Sequence, residues 1–406
     1  MMKNKKFLSG LFSGFLLTLL LLGSIYIGKQ VYTIFRYKQV SNGAYSGSGV
    51  LDESTSEKLE LIEKTIEAYY LEDVDTDTII EGIFDGMVDA LEDPYSTYYS
   101  VEELADIQEQ TEGIYYGIGA YVSADTDTGL CRISGVIENT PAQEVGLRTD
   151  DLIYMVEDTM IQGMDTTDVT MLIKGEEGTY VNITIIREGE EDYLYFDIER
   201  RKIESPTVNY EMLESNIGYI QITEFDDVTE EQFTEALAVC KGSNMEGLIL
   251  DLRSNPGGNL STVCEIARKI LPEGMIVYTE DKYGERSEYT CDGKNQLEVP
   301  IVVLINGYSA SASEILAGAI KDYEMGTLMG TTTFGKGIVQ RIITLTDGSA
   351  LKLTVSKYYT PNGNNIHEIG IEPDIEIEFD AESYYIDGVD NQLEAAIAEM
   401  KEQMQE

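Results

Sequence analysis

The sequence predicts a multidomain α/β protein with a membrane-spanning helix at its N-terminus. An uncharged apolar segment lies near the start of the 406-residue chain, a β-rich stretch occupies the middle, and the second half alternates strands with helices. Such alternation is typical of a largely parallel sheet covered by helices. At these changes of pattern we divide the chain into six segments: 1–38, 39–52, 53–112, 113–202, 203–380 and 381–406.

The charge balance limits the function. The chain has 74 acidic residues, 28 Lys plus Arg and one histidine, which gives a formal net charge of −46. Such a chain repels the phosphates of DNA and RNA, so we expect no nucleic-acid partner. The single histidine, His367, excludes a His-rich metal site and would have to serve any Ser-His or Cys-His mechanism.

Residues 1–38 are the predicted cytoplasmic tail and anchor. They hold six of the basic residues and no acid, so the rest of the chain carries a formal charge of −52. The 22 residues from Phe7 to Gly28 have no charge, and about 20 apolar residues cross a bilayer. Lysines before this segment predict a cytoplasmic N-terminus. We therefore predict a single-pass cell-membrane protein whose catalytic part is extracytoplasmic. A cleaved signal peptide remains the alternative, although the segment lacks the Ala of an A-x-A-like site.

Three segments connect the anchor to the second half of the chain. Residues 39–52 are rich in Gly and Ser and predict a linker. Between 53 and 112, apolar residues recur at helical spacing, and Ser100 with Glu103 predicts a capping box. Residues 113–202 show short strand patterns between Gly and Asp turns, with helices near Pro141–Val145 and Thr166–Ile173.

The segment 203–380 predicts the α/β core, followed by a terminal helix at Asn391–Met404. The predicted strands of the core are Ile217–Ile222, Gly247–Leu252, Ile301–Ile305 and Leu351–Tyr358. The predicted helices of the core are Glu230–Cys240, Leu260–Leu271 and Ser313–Lys321.

Three stretches of this core carry residues suited to catalysis. In Ile301–Ile315 an apolar strand enters a turn of small residues, Ser-Ala-Ser-Ala-Ser, and then a helix. A serine there is exposed at a strand end, close to helix N-terminal amides. In Thr333–Gln340, glycines flank Lys336. A lysine with a depressed pKa is the common base where histidine is scarce. Taken alone, the serine stretch is better interpreted as a close-packed turn, and the alternative for the glycines around Lys336 is an exposed turn.

The third stretch, Asp251–Asn259, follows a buried strand and contains Gly257 and Gly258. Glycines there expose backbone N–H groups that can stabilise an oxyanion. An ordinary strand-to-helix turn and a phosphate cradle are the alternatives, although no Walker spacing is present.

Together these stretches resemble the carboxy-terminal processing peptidases, or tail-specific proteases, a serine peptidase family with a PDZ domain and a Ser-Lys dyad. The resemblance extends over nearly the whole chain past the anchor. Further motifs that match the family are Asp93–Ser100, Tyr116-Gly-Ile-Gly119, Gly146–Ile153, Tyr359–Gly363 and Gly370–Asp374. The resemblance implies a PDZ domain in 113–202, a crotonase-like α/β peptidase core in 203–380, and no cofactor.

The resemblance also implies residue roles. The nucleophile falls on Ser311, with Ser309 and Ser313 as structural neighbours, and the general base falls on Lys336. Gln340 would orient the lysine, reaching back from a helix or turn. The oxyanion donors would be the N–H groups of Gly258 and Ala312, with Gly257 as the rival.

The PDZ resemblance implies a binding site for protein tails. The carboxylate-binding loop falls on Tyr116, Gly117, Ile118 and Gly119, and Ile118 indicates an apolar last side chain in the ligand. The expected partners are therefore proteins or peptides with apolar C-terminal tails, together with the membrane. Helices in 53–112 and 381–406 make a homodimer a further expectation at the level of the family.

One position departs from the family pattern, and several signals are set aside. Asp150 stands where the PDZ signature has Gly, and we expect a left-handed backbone there at a small local cost. Asp125–Gly129 lacks the distant Glu of a calcium loop and predicts a hairpin turn. His367 is interpreted as a surface or turn residue. The four scattered cysteines leave a disulfide open but make a thiol nucleophile improbable.

Three functional hypotheses follow. The first is a membrane-anchored serine endopeptidase with a PDZ domain. The second is a non-catalytic PDZ adaptor that retains the peptidase fold, against which Ser311, Lys336 and Gln340 argue. The third is a crotonase-type thioester enzyme, which would require neither Lys336 nor a PDZ domain.

Overall fold

The computed structural model describes residues 49–405. The predicted anchor, 1–38, lies outside the described residues, as does most of the linker. From residue 49 to residue 405, helices are too short or too polar to cross a bilayer. Within the described residues, the boundary between two compact units lies between residues 80 and 81.

The described part of the first unit is helical, as the apolar spacing predicts. Helix α1 (Glu53–Tyr69) begins after Asp52, whose carboxylate accepts a hydrogen bond from the Thr55 N–H at 2.7 Å. Helix α2 (Thr76–Asp89) starts in this unit and ends in the second.

The second unit begins with strand β1 (Thr97–Tyr99) and helix α3 (Val101–Glu112). The predicted capping box is confirmed, since the Glu103 N–H donates to the Ser100 hydroxyl at 3.3 Å and the Ser100 N–H donates to the Glu103 carboxylate at 2.9 Å. The helix ends at Gly113, whose left-handed backbone (φ 69°) turns the chain into the next strand.

The β-rich module follows, and both of its short helices have the predicted bounds. Its elements are β2 (Ile114–Gly117), β3 (Ala120–Asp125), β4 (Leu130–Val136), α4 (Pro141–Val145), β5 (Leu152–Val156), β6 (Thr159–Met160), α5 (Thr166–Ile173), β7 (Tyr180–Ile186), β8 (Leu194–Glu199) and β9 (Arg201–Glu204). One sheet has the order β3-β4-β5-β7-β8, β6 pairs with β5, and β2 pairs with β9. The turn at Asp125–Gly129 joins β3 to β4, as predicted. Asp150 is left-handed (φ 73°), also as predicted.

The α/β core and the C-terminal helices complete the chain. In order they are β10 (Val208–Leu213), β11 (Ile217–Ile222), α6 (Thr229–Gly242), β12 (Gly247–Asp251), α7 (Leu260–Ala267), β13 (Glu273–Asp281), β14 (Arg286–Asp292), β15 (Ile301–Ile305), α8 (Ala312–Asp322), β16 (Gly326–Gly330), β17 (Ile338–Thr344), β18 (Ala350–Tyr359), β19 (Ile375–Glu376), α9 (Ala381–Asp387) and α10 (Asn391–Gln403).

The main sheet of the core is largely parallel, as the strand-helix alternation predicts. Its order is β10-β11-β12-β15-β16-β19, and β11 to β19 run parallel while β10 is antiparallel at the edge. Strands β12 and β15 are fully buried, which explains their continuous apolar sequences. The C-terminal end of β12 leads into the glycine-rich loop (252–259), and that of β15 leads into the serine turn (306–313).

A second, antiparallel sheet was not predicted as a whole. Its order is β1-β18-β13-β14, and β17 pairs with β18. Strand β14 carries mostly polar residues on partly exposed faces, so its pattern did not stand out from a loop, whereas β17 was not recognised although it is rich in β-branched residues. This sheet brings Gln340 and Lys352 beside the serine turn.

A buried ion-pair network holds the end of β12 against α10. The Arg253 guanidinium donates to Asp251 at 2.6 Å, to Asp390 at 2.9 Å and to Gln392 at 3.0 Å. The Tyr219 hydroxyl donates to Asp251 at 2.8 Å. Since Arg253 begins the turn toward the two glycines, this network fixes where the glycine-rich loop starts.

Candidate active site

The serine turn joins β15 to α8, and its three serines have different environments. The Ser309 hydroxyl donates to the Leu252 carbonyl at 2.8 Å, and the Ser313 hydroxyl donates to the Asn255 carbonyl at 3.0 Å. Both side chains therefore tie the turn to the glycine-rich loop. Of the three, Ser311 is the one that lines the adjacent cavity.

Ser311 is held in an unusual backbone conformation at the start of α8. Its φ of 56° and ψ of −112° are costly for a residue with a side chain. The Tyr358 hydroxyl donates to its carbonyl at 3.1 Å, and its N–H donates to the Glu314 carboxylate at 2.8 Å. These contacts offset the strain and keep the Ser311 side chain at the cavity.

The cavity has a volume of about 360 Å³ and lies between the serine turn, the glycine-rich loop and the second sheet. The predicted site residues that line it are Ser311, Ala312, Gly258, Lys336 and Gln340. Gly257 is not in its wall. The cavity wall also contains Lys352, Tyr358, Glu224 and Asp226, which the sequence did not single out.

Lys336 lies in the loop between β16 and β17. Its neighbours must be glycine because a Cβ on Gly335 would lie 3.0 Å from the Gly370 nitrogen, and one on Gly337 would lie 2.5 Å from the His367 nitrogen. The Lys336 Nζ lies 4.8 Å from the centre of the Tyr95 ring.

The surroundings of Lys336 lower the pKa of its amine from the usual range. Burial is the main cause, and the charge of Lys352 acts in the same direction, while Glu314 and Asp93 act against them. The direction of this shift agrees with the depressed pKa expected of a lysine base, although the carboxyl groups of Glu224 and Asp226 also line the cavity.

The buried carboxylate of Glu314 was not identified from the sequence. It accepts hydrogen bonds from the Thr333 hydroxyl at 2.6 Å and from the N–H groups of Gly335 at 2.7 Å and Lys336 at 2.9 Å, besides that of Ser311. It thus joins the loop of Lys336 to the turn of Ser311. Its place three residues after Ser311, where a capping-box Glu belongs, was the signal that could have identified it.

The glycine-rich loop distinguishes the two candidate oxyanion donors. Gly257 (φ 111°) donates its N–H to the Asn255 side chain at 2.8 Å, so this donor is already used. Gly258 (φ 136°) and Ala312 line the cavity, and in the described part of the chain their N–H groups have no hydrogen-bond acceptor. Asn255, also missed from the sequence, holds the loop by donating to the Ile222 carbonyl at 2.8 Å.

Gln340 lies in β17, and the expectation that it reaches back from a helix or turn was wrong. Its side-chain amide donates to the Thr354 hydroxyl on β18 at 3.3 Å. Pairing of β17 with β18 gives it an extended backbone, so it approaches the cavity from the sheet. Within residues 49–405, no hydrogen bond links the Ser311 hydroxyl, the Lys336 amine and the Gln340 amide to one another.

The predicted peptide groove lies between β3 and α5 and has a volume of about 240 Å³. Gly117, Ile118 and Gly119 line it, whereas the exposed Tyr116 does not, and Tyr115 occupies the wall instead. Gly119 is left-handed (φ 83°) and packs so closely on Thr140 that a Cβ would lie 2.3 Å from that side chain.

His367 and the cysteines lie outside this chemistry. His367 is in the loop before β19 and does not line the cavity. All four cysteines are buried and free, so a disulfide does not form among them. Burial raises the pKa of the Cys264 thiol to about 12, which disfavours a thiolate nucleophile.

The α/β core with its serine turn, together with a β-rich module that has a groove of its own, indicates a serine peptidase with an additional β-rich domain. Comparison with known proteins agrees with this class. The family described as "Peptidase family S41" matches residues 216–377, "Activating protease CtpB N-terminal domain" matches 19–103, and "PDZ domain" matches 132–187.

Two sequence relatives show the family. The carboxy-terminal processing protease CtpA of Bacillus subtilis (strain 168) is 35% identical over 327 residues, which are 80% of this chain and 70% of that protein. CtpB of the same organism is 35% identical over 326 residues, 79% of this chain and 68% of that protein. A solved photosystem II D1 C-terminal processing protease is 29% identical, with a TM-score of 0.47, over 78% of this chain and 86% of that one. The chain belongs to peptidase family S41 and is a serine peptidase of the carboxy-terminal processing type.

Proposed function

We propose that the protein is a membrane-anchored, extracytoplasmic endopeptidase that binds the C-terminal tails of proteins in its PDZ domain and cleaves peptide bonds with a Ser311-Lys336 dyad. The observation that carries this proposal is that Ser311 and Lys336 line one cavity, and that the hydroxyls of Ser309 and Ser313 are bound elsewhere. Of the three serines in this turn, Ser311 therefore has the side chain suited to attack a substrate.

Lys336 is the proposed general base. The lowered pKa of its amine increases the neutral fraction that can accept the Ser311 proton. In the resting arrangement its Nζ lies over the Tyr95 ring. The reaction therefore includes a rotation of the Lys336 side chain toward the Ser311 hydroxyl once substrate is bound, and Gln340 would limit this rotation from β17.

The proposed reaction proceeds through an acyl-enzyme. Lys336 takes the hydroxyl proton, the Ser311 oxygen attacks the scissile carbonyl carbon, and the N–H groups of Gly258 and Ala312 stabilise the oxyanion. The leaving amine takes the proton from Lys336 as the C–N bond breaks. Lys336 then takes a proton from water, the resulting hydroxide attacks the ester carbonyl carbon, and the bond to the Ser311 oxygen breaks as Lys336 returns the proton to that oxygen.

The groove of the PDZ domain supports recognition of tails. An added peptide strand would pair beside β3, and its carboxylate would meet the loop at Gly117–Gly119. The groove wall is mostly apolar, with Ile118, Ile173 and Val122 among its residues, which favours an apolar last side chain.

The membrane anchor is proposed from the uncharged segment Phe7–Gly28 and the basic residues around it. That topology would keep the strongly acidic remainder of the chain on the extracytoplasmic side. Fractionation of cells that make the full-length chain, with protease accessibility of a C-terminal tag, tests this part independently of catalysis.

Cleavage of an unfolded reporter protein with an apolar C-terminal residue tests the chemistry. We expect Ser311→Ala and Lys336→Ala to abolish cleavage, and we expect Ser261→Ala, an exposed serine on α7, to retain it. Full cleavage by either dyad variant would refute the dyad. Tail binding without cleavage by the unaltered enzyme would instead favour the adaptor hypothesis.

A further inference from the structure

Lys352 is a second lysine in the cavity of Ser311 and Lys336. It lies on β18, opposite Ile342 of β17 and Thr97 of β1, so two neighbouring strands fix its backbone. It stands two residues before Thr354, which accepts the hydrogen bond from Gln340. Its location on a paired central strand makes it a rigid part of the cavity wall.

The Lys352 side chain is held by an aromatic ring. Its Nζ lies 5.3 Å from the centre of the Tyr99 ring, and the Lys336 Nζ lies 4.8 Å from the Tyr95 ring, on the segment leading into the same strand β1. A cation over an aromatic face is attracted by the ring without a carboxylate partner, and this holds for both lysines. Across residues 49–405, neither lysine forms an ion pair with a carboxylate within 4.0 Å, in contrast to the paired Lys174 and Lys321.

The carboxylates around the cavity differ in how far they can neutralise these lysines. Glu314 of α8 and Asp93 before β1 attract the Lys336 charge, but both accept hydrogen bonds from other groups, Asp93 from the Ser96 hydroxyl at 2.6 Å. Glu224 and Asp226, which follow β11, line the cavity, and burial raises the pKa of both. The Tyr358 hydroxyl is engaged with the Ser311 carbonyl. The positive charge of Lys352 is therefore not cancelled at close range.

We propose that Lys352 is a positioning residue for the reaction, whose fixed positive charge favours the neutral, proton-accepting amine at Lys336. This inference rests on the proposed function, in which Lys336 is the base. Two ammonium groups in one partly buried cavity repel each other, so the positive charge of Lys352 disfavours the protonated form of the Lys336 amine. The lowered pKa of Lys336, to which Lys352 contributes after burial, agrees with this assignment.

The test is the pH dependence of kcat/KM on the full-length enzyme with Lys352→Met, Lys352→Gln and Lys352→Arg. Activity rises with pH as Lys336 loses its proton. This rise is the acidic limb of the pH profile of kcat/KM. Removing the charge of Lys352 would move this limb to higher pH by about one pH unit. Near neutral pH, kcat/KM would fall about tenfold and recover at higher pH. Lys352→Arg keeps the positive charge, so its acidic limb would lie at the same pH as that of the unaltered enzyme.

Three controls make the outcome specific. Lys357→Met removes an exposed lysine from the same strand outside the cavity and would leave the limb in place. The series is repeated with Asp226→Asn, because that cavity carboxyl has a pKa of about 7. Lys336→Ala is assayed in parallel.

If Lys336→Ala stays active, the proposed function fails. If Lys336→Ala is inactive but the acidic limb does not move in Lys352→Met and Lys352→Gln, the Lys352 inference alone is overturned. A loss of activity that is equal at every pH, or a limb moved also in Lys352→Arg, overturns it as well.

Discussion

The carboxylate of Glu314 accepts a hydrogen bond from the backbone N–H of Lys336 at 2.9 Å. The same carboxylate accepts the Ser311 N–H at 2.8 Å, and the Glu314 side chain is fully buried. A buried carboxylate is stable only where donors surround it. The cost of burying Glu314 is thus offset by contacts that join the proposed nucleophile and base.

We expect Glu314→Gln to lower kcat by about a hundredfold and the free energy of unfolding by about 2 kcal/mol. Glutamine has the same shape, but its NH₂ group would face backbone N–H donors and displace the turn of Ser311 or the loop of Lys336. Steady-state kinetics and chemical denaturation measure the two effects. Glu324→Gln, an exposed position after α8, is the matched control. An active Glu314→Gln enzyme would show that the carboxylate does not position the site.

Gly257 is required for close packing, although it is not the favoured oxyanion donor. A Cβ there would lie 2.7 Å from the Ser311 Cβ and 2.8 Å from the Ala310 carbonyl. We expect Gly257→Ala to lower kcat by about 10² to 10³ through displacement of the Ser311 turn and of Gly258. The measurement is kcat on the reporter substrate.

Gly163→Ala separates this packing effect from backbone strain. Gly163 also has a positive φ (80°), but open space surrounds its Cβ position. We expect it to lower stability modestly and to leave kcat unchanged. Equal losses of kcat in the two variants would mean that strain, and not contact with Ser311, explains the Gly257 result.

Local sequence patterns identified much of the fold but less of the site. Helices α4 and α5 have the predicted bounds because turn residues and apolar spacing mark them within a few positions. The position of Gln340 in a strand depends instead on the long-range pairing of β17 with β18. The contacts of Lys336 with Tyr95 and Glu314 are likewise long-range. Glycines around a lysine cannot reveal which ring or carboxylate will meet it.

The groove of the PDZ domain depends on Gly119, whose Cβ would overlap Thr140 in a left-handed backbone. We expect Gly119→Ala to distort the carboxylate loop and weaken the binding of an apolar-tailed peptide by about tenfold or more. Fluorescence anisotropy with the labelled peptide measures this Kd. Gly189→Ala, at an open left-handed turn between β7 and β8, is the control.

A C-terminally amidated peptide tests the same loop from the ligand side. If the loop N–H groups bind the carboxylate, amidation should weaken binding to the unaltered protein and have little further effect in Gly119→Ala. Equal affinity of the acid and amide peptides for the unaltered protein would contradict carboxylate recognition.

Asp226 makes the stability of the protein depend on pH in a direction unusual for an acid. Its side chain is 6% exposed at the cavity wall, and burial, with the charges of Glu224 and Asp227, raises its pKa to about 7. In the unfolded chain an aspartate titrates near pH ~3.9. Between these values the folded state binds the proton more tightly, so this group's contribution to stability is lost as the pH rises toward 7.

An asparagine at position 226 is neutral at every pH. We therefore expect Asp226→Asn to unfold at higher urea concentration than the unaltered protein at pH 8, by about 1 kcal/mol or more, and to show a smaller difference at pH 5. Asp158→Asn, at an exposed turn, should show no such difference. An effect of Asp226→Asn that is the same at both pH values would mean that the carboxyl does not titrate between them.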